Sequence, residues 1–585
     1  MMRSRYAGSL RPVDTGESVA LCGWVANRRD HGSVIFVDLR DAEGLAQVVI
    51  DPSRESCADG HALRNEFVIR VEGTVRARPP GTVNDSMPTG EVEVDVESLE
   101  ILSAAEPLPF QVDDRIEVDE ALRLRHRYLD LRRARMQRNL RLRARVVAAV
   151  RRSMETQGFV DVETPTLTRS TPEGARDFLV PSRLQPGSFY ALPQSPQLFK
   201  QLLMVGGVDR YFQIAHCWRD EDLRADRAPE FTQLDTEMSF AGPDDVMDVI
   251  EQAVVSAVEE ITGSRPARFD RITWEESMTR YGTDKPDRRF GTELHDCSAL
   301  FADAEFRAFS GRYVVAIRLA GGADTSRSAL DAWTDTAQTL GAGGLVWMRV
   351  RDTELESPVA KFISADEQFG LRSTTGAEAG DLLLIVADGD RRLAQRVLGA
   401  LRLELGRPER TDVPLDLCWV VDFPLFEGVA DGVARSAHHP FTAPHPDDVD
   451  LLESDPLAVR SLAYDLVCNG FELGSGSVRI HDRVLQQRCF QALGIDEAEA
   501  QSRFGFLLDA FRYGVPPHAG FAFGIDRLAM ILAGEHSLRD VVAFPKTQTG
   551  SDPLTGAPAP VDDTQLGDVG ISVLSEFRPD VGPRP

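Results

Sequence analysis

Short apolar stretches, separated by turns rich in glycine, aspartate and proline, dominate the first 105 residues of the chain. They are rich in valine, isoleucine and leucine, and several alternate with polar residues at the period of two that is typical of half-buried strands. The pattern predicts strands at residues 19–25, 34–39, 45–50, 66–75 and 91–102. Five short strands of this kind favour a small barrel.

A second pattern consists of two apolar, alternating arms, Tyr211–Trp218 and Phe231–Phe240, around a loop dense in charge. The alternation predicts a hairpin lying on a core. The charged loop is compatible with an ordinary solvated tip. Arg219, however, stands where the first strand ends, so its guanidinium extends from a rigid base and is suited to bidentate phosphate binding.

The length of the chain predicts several domains, since 585 residues are too many for a single hydrophobic core. A helix is expected at Asn139–Gln157, followed by Gly158 at a position where helices often end. Between residues 288 and 420, apolar strands alternate with helical stretches, which predicts a separate α+β module. The Pro- and Asp-rich stretch from Ser551 onward is expected to form an extended tail.

Composition narrows the class of protein. A hydrophobic content of 42% with 27% charged residues is typical of a globular protein. The sequence has no apolar run of the ~20 residues that span a bilayer. Seven scattered cysteines without a Cys-x-x-Cys pair favour a reducing compartment and argue against structural zinc.

Charge is distributed unevenly. The formal charge of −27 is unexpected for a protein that binds nucleic acid, but residues 123–152 include twelve arginines that can bind RNA locally or pair with acids on a helix surface. Lysine occurs only at positions 200, 285, 361 and 546. In a chain that otherwise uses arginine, a lysine can indicate a need for a compact point charge, although chance explains some of the four.

Two distant segments carry a family resemblance. Residues 219–227 (RDEDLRADR) and 229–235 (PEFTQLD) resemble motif 2 of class II aminoacyl-tRNA synthetases in its aspartyl version. Residues 520–528 (GFAFGIDRL) resemble motif 3, in which a strand and a glycine turn lead into a helix that opens on an arginine. Both segments together, in this order, make the chain similar to a bacterial-type aspartyl-tRNA synthetase.

The resemblance implies a multi-domain α+β fold around the antiparallel sheet of a class II catalytic core. The strand predicted at Phe159–Leu167 resembles motif 1, which forms the dimer interface of this class, so a homodimer is expected. The proline in that strand also suits an ordinary strand end. The family, like the scattered cysteines, implies a cytoplasmic location. The expected divisions are an OB-fold anticodon-binding barrel (1–105), a hinge (106–138), core with motifs 1 and 2 (139–287), a bacterial-type insertion (288–420), core with motif 3 (421–560) and a C-terminal tail (561–585).

The implied reaction joins L-aspartate to tRNA in two steps. The aspartate carboxylate attacks the α-phosphate of ATP, and the acyl group then passes to the 3′ end of the tRNA. Neither step requires a protein nucleophile, so catalysis rests on positioning and on cations that stabilise phosphate oxygens. ATP is a substrate, and the expected cofactor is Mg²⁺ held by Asp465 and Glu472.

Residue roles are carried over from the matching motifs. Lys200 and Arg479 are expected to face the side-chain carboxylate of aspartate, and an asparagine amide would leave these cations poorly paired. The expected catalytic residues are Arg219, Glu221 and Arg527. The expected aspartate-binding residues are Glu173, Ser195, Gln197, Lys200, Arg219, Asp235, His438 and Arg479. The expected ATP-binding residues are Arg219, Asp220, Glu221, Glu472, Gly524, Ile525, Asp526 and Arg527.

The N-terminal barrel is expected to bind the anticodon. Phe36 and Gln47 lie on its second and third strands, where a ring can stack on an unpaired base and an amide can read its edge. The structural alternative for Phe36 is a core position. The resemblance adds Arg29 and Glu93 as further anticodon contacts.

His31 and Gly81 bear on which tRNA is charged. They resemble the pattern of relaxed bacterial aspartyl enzymes, which charge both tRNA(Asp) and tRNA(Asn) and leave an amidotransferase to convert the mischarged product. Histidine can hydrogen-bond either pyrimidine, and glycine has no side chain to exclude a base. Both residues also suit ordinary turns, so an enzyme restricted to tRNA(Asp) stays open.

Two positions depart from the family spelling. Ala228 stands where glutamine is frequent near the adenine, and Ser475 replaces the middle glycine of a three-glycine run. They leave open a synthetase-like paralogue without ligase activity, although the charged motif residues are retained. An asparaginyl or lysyl relative is the nearest other enzyme; the insertion argues against the first and the Lys200–Arg479 pair against the second.

Overall fold

A computed structural model describes residues 2–170, 175–352, 354–406 and 415–577. The chain divides into two compact units. The smaller holds Met1–Arg141 with Val542–Thr547 and Ser551–Pro558, and the larger holds the remainder. Within the described ranges, no helix is long and apolar enough to cross a membrane.

The smaller unit contains a closed five-stranded barrel in the order β1-β2-β3-β5-β4. Its strands are β1 (Ser18–Asp30), β2 (Ile35–Asp41), β3 (Gly44–Ile50), β4 (Val68–Ala77) and β5 (Val92–Ser103). Buried and half-buried residues alternate along β2, so Ile35, Val37 and Leu39 fill the barrel while Phe36 remains half-exposed. The predicted barrel is confirmed, and the position of Phe36 argues against a core role.

Helical structure begins earlier than the sequence predicted. The helices are α1 (Glu120–Arg125), α2 (Arg127–Asp130) and α3 (Ala134–Thr156). The Asp119 side chain caps α1 by accepting the Leu122 N–H. Asp130, fully buried, pairs with Arg127 at 2.5 Å and with Arg123 at 3.1 Å. Part of the arginine-rich run is therefore structural, and the segment 106–138, expected as a hinge, contains helices.

The larger unit is built on an eight-stranded sheet in the order β11-β17-β20-β21-β22-β10-β9-β6. The predicted hairpin is confirmed, because β9 and β10 pair antiparallel. The strand predicted at Phe159–Leu167 shortens to β6, beside β9. Beyond it the Thr164 N–H donates to the Gln213 side chain, and no longer to a strand backbone. The first elements of this unit are β6 (Val160–Asp161), β7 (Leu179–Pro181), β8 (Phe189–Ala191), α4 (Gln197–Val205), β9 (Arg210–Trp218), β10 (Glu230–Ser239), α5 (Pro243–Thr262), β11 (Asp270–Thr273) and α6 (Trp274–Tyr281).

A second sheet of five strands follows, in the order β12-β13-β16-β14-β15. Apolar clusters lie on both of its faces, one including α7 and α9 and the other α8. The elements are β12 (Leu294–Asp296), β13 (Tyr313–Leu319), α7 (Arg327–Thr339), β14 (Val346–Val350), β15 (Leu355–Glu356), α8 (Ala365–Thr375), β16 (Leu382–Asp388) and α9 (Arg391–Gly406). The predicted α+β character of this segment is confirmed.

The chain then returns to the large sheet through β17, which lies between β11 and β20. This strand crosses residue 420, where the sequence placed the end of the insertion. Asp562 caps a short helix, α13, so the region expected as an extended tail contains a helical turn. The remaining elements are β17 (Leu417–Val421), β18 (Phe426–Ala430), β19 (Val433–Ser436), β20 (Ala463–Cys468), β21 (Phe471–Val478), α10 (Arg483–Ala492), α11 (Glu497–Ala510), β22 (His518–Gly524), α12 (Ile525–Ala533) and α13 (Asp563–Asp568).

Strand alternation separates the core of the large sheet from its functional face. Leu234, Phe521 and Phe523 are fully buried in a cluster with apolar residues of α3 and α5. Their neighbours Asp235 and Ala522 line a cavity instead. Because successive side chains of a strand point to opposite faces, the same strands build the core and the candidate site.

Candidate active site

The face of the large sheet opposite the core cluster lines a cavity of about 600 Å³. Residues of β10, β21 and β22, of the loop after β9 and of the helices α4 and α12 contribute to its walls. The cavity brings together these predicted site residues: Ser195, Gln197, Lys200, Arg219, Glu221, Asp235, His438, Glu472, Arg479, Gly524, Asp526 and Arg527.

Arg219 lies directly after β9, and its backbone N–H donates to the Pro229 carbonyl at 2.8 Å, which closes the loop at its base. Its Cζ lies 5.1 Å from the centre of the Phe231 ring, and Nε donates to the Gln194 carbonyl at 3.4 Å. Among the described residues, its two terminal nitrogens have no hydrogen-bond partner. The forked end is therefore available to a bidentate anion.

Arg527 is a second guanidinium in the cavity, near the start of α12. Its Nη1 donates to the Glu472 carbonyl and its Nη2 to the Asp226 carbonyl, the latter at 3.1 Å. Nε is buried and has no hydrogen-bond partner in the described part of the chain. These backbone contacts fix the side chain, and the Asp226 carboxylate lies 3.7 Å from its Nη2. The unpartnered Nε and the long ion pair leave the guanidinium suited to bind a phosphate group.

Three other predicted residues of motif 2 and motif 3 have different surroundings. Glu221 lines the cavity and pairs with Arg227 at 3.0 Å. Asp220 does not line it, because its side chain is turned toward Arg176, at 3.5 Å. Ile525 is fully buried in the core of the sheet, so only its backbone can serve the nucleotide.

Asp526 lines the cavity but is held by the protein. Its carboxylate accepts from Arg143 Nε at 2.7 Å and from the Thr232 N–H at 2.9 Å. These bonds tie α12 to α3 and β10. The structure thus gives Asp526 a role in fixing the helix that carries Arg527.

A buried charge network occupies the end of the cavity at α4. Lys200 Nζ donates to Asp235 Oδ1 at 2.6 Å and lies 3.3 Å from Glu237 Oε2. Arg479 Nε donates to Glu237 Oε1 at 3.0 Å, and its Nη1 donates to Ser477 at 2.7 Å. Both cations already have carboxylate partners, so a substrate carboxylate would join a network of two cations and two acids.

Burial controls the ionisation of the network. It raises the pKa of Asp235, whose Oδ2 is buried without a hydrogen-bond partner among the described residues. Burial also opposes ionisation of Glu237, but Arg479 and Lys200 hold the pKa of that carboxyl below its ordinary value. Asp235 Oδ2 is an acceptor in a cavity wall, which fits a substrate ammonium group.

The other residues predicted to bind the substrate aspartate are Ser195, Gln197, His438 and Glu173. Ser195 and Gln197 line the cavity at the start of α4. The His438 ring packs edge-on against Phe423, with 4.9 Å between ring centres, and its buried Nε2 has no described partner. Burial lowers the pKa of His438 to about 4, so the imidazole is neutral at pH 7. Glu173 lies outside the described residues.

Asp465 and Glu472, the predicted metal ligands, lie on neighbouring strands, and Asp465 is buried beneath the cavity surface. Burial, followed by the charge of Glu472, raises the pKa of Asp465 well above its ordinary value, and its Oδ1 has no hydrogen-bond partner in the described structure. Burial opposes ionisation of Glu472 too, yet Lys285 Nζ at 2.7 Å holds its pKa below the ordinary value.

This acid pair fits a divalent cation, since an unsatisfied buried carboxylate beside a second one favours positive charge. Within the described ranges, no group of three or more His, Cys, Asp or Glu residues is arranged to hold a metal ion. Mg²⁺ typically takes one or two carboxylates and completes its shell with substrate phosphates and water. The two acids match that requirement.

The two unusual residues, Ala228 and Ser475, both line the cavity. Ser475 lies between glycines whose backbones pack closely on the neighbouring strand: a Cβ on Gly474 would come within 2.6 Å of the Phe523 Cα. Ser475 itself is half-buried. Neither residue displaces a charged group from the cavity, and their effect on ATP binding stays a prediction.

The barrel of the smaller unit has its own surface pocket of about 500 Å³, lined by Arg29, His31, Phe36, Gln47 and Glu93 among others. Gln47 Nε2 donates to Glu93 Oε2 at 2.8 Å and its Oε1 accepts from Arg29 at 3.1 Å. The His31 ring packs edge-on against Phe36 at 5.5 Å. The pocket offers a ring face beside fixed polar groups, as base recognition requires.

Gly81, the other predicted discrimination residue, is not part of the lining of this pocket. Its φ of +84° lies in the left-handed region that favours glycine, and an added Cβ would meet no atom within 4 Å. The turn geometry therefore explains this glycine locally. A role in discrimination stays a prediction.

Sequence reasoning missed two charged residues of the site: Lys285, which lines the cavity, and Glu237, which is fully buried behind it. Glu237 lies two residues after Asp235 on β10, and the alternation of that strand, which places both on one face, was a usable signal. Lys285 lies in the link after α6, far along the chain from Glu472. Its only signal was the rarity of lysine in this sequence.

Comparison with protein families agrees with this geometry. Residues 119–548 match the model for "tRNA synthetases class II (D, K and N)", and residues 19–102 match the model for the OB-fold nucleic acid binding domain. The chain therefore belongs to the class II tRNA synthetases. Full-length relatives define its place within that class.

A relative from Saccharopolyspora erythraea is 53% identical over 98% of this chain and 96% of its own length, and one from Halothermothrix orenii is 51% identical over 98% and 99%. Both are named aspartate--tRNA(Asp/Asn) ligase. At this identity over nearly the whole length, the chain is a member of the aspartate--tRNA ligase family.

Solved structures agree on the fold. The asparaginyl-tRNA synthetase of Pyrococcus horikoshii superposes with a TM-score of 0.59 at 20% identity, covering 94% of this chain and 99% of the other. An aspartyl-tRNA synthetase from Entamoeba histolytica gives 0.56, also at 20% identity, covering 91% and 89%. At this identity the likeness concerns the fold alone.

Proposed function

We propose that this protein ligates L-aspartate to tRNA through an aspartyl-adenylate, at the expense of ATP, and that it charges both tRNA(Asp) and tRNA(Asn). The observation that carries the first part is the cavity, where the forked end of Arg219 lies near a buried network that presents Lys200 and Arg479. The names of the full-length relatives support the second part.

In the first step, an oxygen of the substrate's α-carboxylate attacks the α-phosphorus of ATP, and the bond to the pyrophosphate leaving group breaks. Arg219 binds the α-phosphate and the attacking carboxylate together, which brings the two anions into contact and stabilises the charge that develops. Arg527 binds the γ-phosphate, and Glu221 lies on the adenine or ribose side. Positioning and charge stabilisation account for the step without a protein nucleophile.

Asp465 and Glu472 are the residues that hold Mg²⁺ in this proposal. When bound, Mg²⁺ neutralises phosphate charge beside the arginines. In the second step, a hydroxyl at the 3′ end of the tRNA attacks the carbonyl carbon of the adenylate and AMP leaves. The protein's part is again to hold the reactants in register.

Recognition of aspartate follows from the donors that line its pocket. The ammonium of Lys200 and the guanidinium of Arg479 offer N–H groups and accept none, so they suit both oxygens of a side-chain carboxylate. An asparagine amide would direct its own N–H groups at these donors, and a pocket built in this way discriminates strongly. Asp235, Ser195, Gln197 and, outside the described residues, Glu173 bind the ammonium end, and His438 closes over the substrate.

The test of the activity is amino-acid-dependent ATP–pyrophosphate exchange with aspartate, asparagine and lysine as separate substrates. Exchange with aspartate alone is the expected result. Exchange with asparagine or lysine instead would assign the chain to another enzyme of this class. Loss of exchange with all three in folded protein would favour a synthetase-like paralogue without ligase activity.

The breadth of tRNA charging has its own test. Purified tRNA(Asp) and tRNA(Asn) are expected to be charged with kcat/KM values within about tenfold, and His31→Leu is expected to reduce charging of tRNA(Asn) more, because an aliphatic side chain cannot hydrogen-bond the third anticodon base. Val34→Leu, in the same pocket, is the matched control. A preference of several hundredfold for tRNA(Asp) in the unchanged enzyme would instead assign the discriminating form.

Several partners complete the proposal. If tRNA(Asn) is charged with aspartate, an amidotransferase must convert the product before it is used. A homodimer through the segment 159–167 is expected from motif 1, and size measurement in solution tests it. These partners, together with the cytoplasmic location and the domain divisions, stay predictions.

A further inference from the structure

Lys285 is a cation of the cavity to which the activity described above assigns no role. It lies in the link between α6 and β12, at a cavity wall. Its Nζ is 2.7 Å from Glu472 Oε2, and 41% of its side chain is exposed. The ammonium of Lys285 is therefore ion-paired with one of the two predicted metal ligands.

The link that carries Lys285 is fastened to α9 of the five-stranded sheet module. Arg402 of α9 is fully buried; its Nη2 donates to the Asp287 carbonyl at 2.8 Å and its Nε to the Thr292 carbonyl at 2.9 Å. Its Cζ also lies 4.2 Å from the centre of the Phe290 ring. One side chain of the insertion thus fixes the backbone that follows Lys285.

Two glycines let α9 approach the other end of the link. Gly282 has a φ of +68° and ends α6, and a Cβ added to it would lie 2.8 Å from the Gly399 Cα. A Cβ added to Gly399 would lie 2.8 Å from the Tyr281 carbonyl oxygen. Because neither position has room for a side chain, the backbone of α9 sets where the link begins.

We propose that Lys285, through its ion pair with Glu472, occupies the cation position at the Asp465–Glu472 pair in the free enzyme. It yields this position to the divalent ion that enters with ATP, and α9 holds it there. A buried carboxylate, Asp465, next to the half-buried Glu472 is costly without a positive neighbour. Lysine suits the part because its ammonium is a compact charge on a flexible stem that can leave. Helix α9 therefore controls the metal-binding part of the cavity by fixing where Lys285 lies, although no described side chain of α9 lines the cavity.

The test measures the affinity of the enzyme for Mn²⁺ in the absence of ATP. The concentration of free Mn²⁺ is read from its electron paramagnetic resonance signal. Lys285→Met is expected to bind Mn²⁺ about tenfold more tightly, because a competing charge a few ångströms away is removed. Lys285→Arg is expected to keep the affinity near that of the unchanged enzyme. Lys361→Met, which changes an exposed lysine of the five-stranded sheet module, is the control. Unchanged or weaker affinity in folded Lys285→Met would overturn the proposal.

The role of α9 is tested by Gly399→Ala, with Arg396→Ala on the exposed side of the helix as control. Gly399→Ala is expected to tighten Mn²⁺ binding about threefold, since the displaced link withdraws Lys285. Combined with Lys285→Met it is expected to add nothing, because both changes act through one side chain. Additive effects would contradict the coupling. The proposal uses the metal site of the proposed function, but this experiment needs no aspartate, so failure of the exchange assay and failure of this inference are distinguishable.

Discussion

Arg219→Lys is expected to lower aspartate-dependent ATP–pyrophosphate exchange by about 10²–10³-fold while leaving the fold intact, the range found when one donor to a developing charge is lost. The guanidinium presents two parallel N–H groups, and its Cζ and Nε are already held by the Phe231 ring and the Gln194 carbonyl. A lysine ammonium keeps the charge but cannot bind phosphate and carboxylate through one planar fork.

The control for this change is Arg210→Lys, at the other end of β9, where the side chain donates to the Gln157 carbonyl at 2.9 Å on the surface. It is expected to keep full exchange activity. Thermal unfolding of both variants excludes a folding defect. Near-normal exchange by Arg219→Lys would remove this residue from the reaction and with it the assignment of motif 2.

The sequence predicted those parts of the site that local patterns and motifs define. Alternation along the two arms, residues 211–218 and 231–240, was enough for the hairpin, and Arg219 follows from its place at the end of β9. Arg527 could be placed in the same cavity only because motif 3 resembles a known segment, since no local rule brings α12 beside the loop after β9. Ile525 shows the limit of a motif, because the structure buries its side chain in the core.

Long-range packing decides what the sequence did not predict. The prediction of two cations facing a substrate carboxylate omitted Glu237. Alternation on β10 places Glu237 on the face of Asp235, but its pairing with Lys200 of α4 and with Arg479, directly after β21, depends on the register of the whole sheet. Lys285 reaches Glu472 only through a link whose path is set by α9, more than a hundred residues later. Helix α3 begins at Ala134, earlier than the predicted Asn139. The added residues include alanine and arginine, which are good helix formers, and a search for apolar periodicity does not use that propensity.

A substitution in the buried network of Lys200, Asp235, Glu237 and Arg479 is expected to have the largest effect on which amino acid the enzyme uses. Arg479→Lys is expected to lower kcat/KM for aspartate by about 10³-fold and to change the KM for ATP by less than about threefold. In the structure, Arg479 donates to both oxygens of Glu237, at 3.0 and 3.3 Å, and to Ser477. A lysine here keeps Glu237 paired but has too few directed donors to bind the substrate as well.

Lysine is the preferred replacement because it keeps a charge. Removing a buried charge, as in Lys200→Met, leaves Asp235 and Glu237 underpaired and is expected to cost about 3–5 kcal/mol of stability, which would obscure the kinetic effect. Arg460→Lys is the matched control: it breaks a bidentate pair with Asp448, Nε–Oδ2 2.7 Å, that does not line the cavity. Equal losses of aspartate and ATP use in Arg479→Lys would mean a general defect of the cavity. Unchanged aspartate kinetics in Arg479→Lys would mean that the side-chain carboxylate of the substrate binds elsewhere, because the proposed choice of aspartate over asparagine depends on the donors of this network.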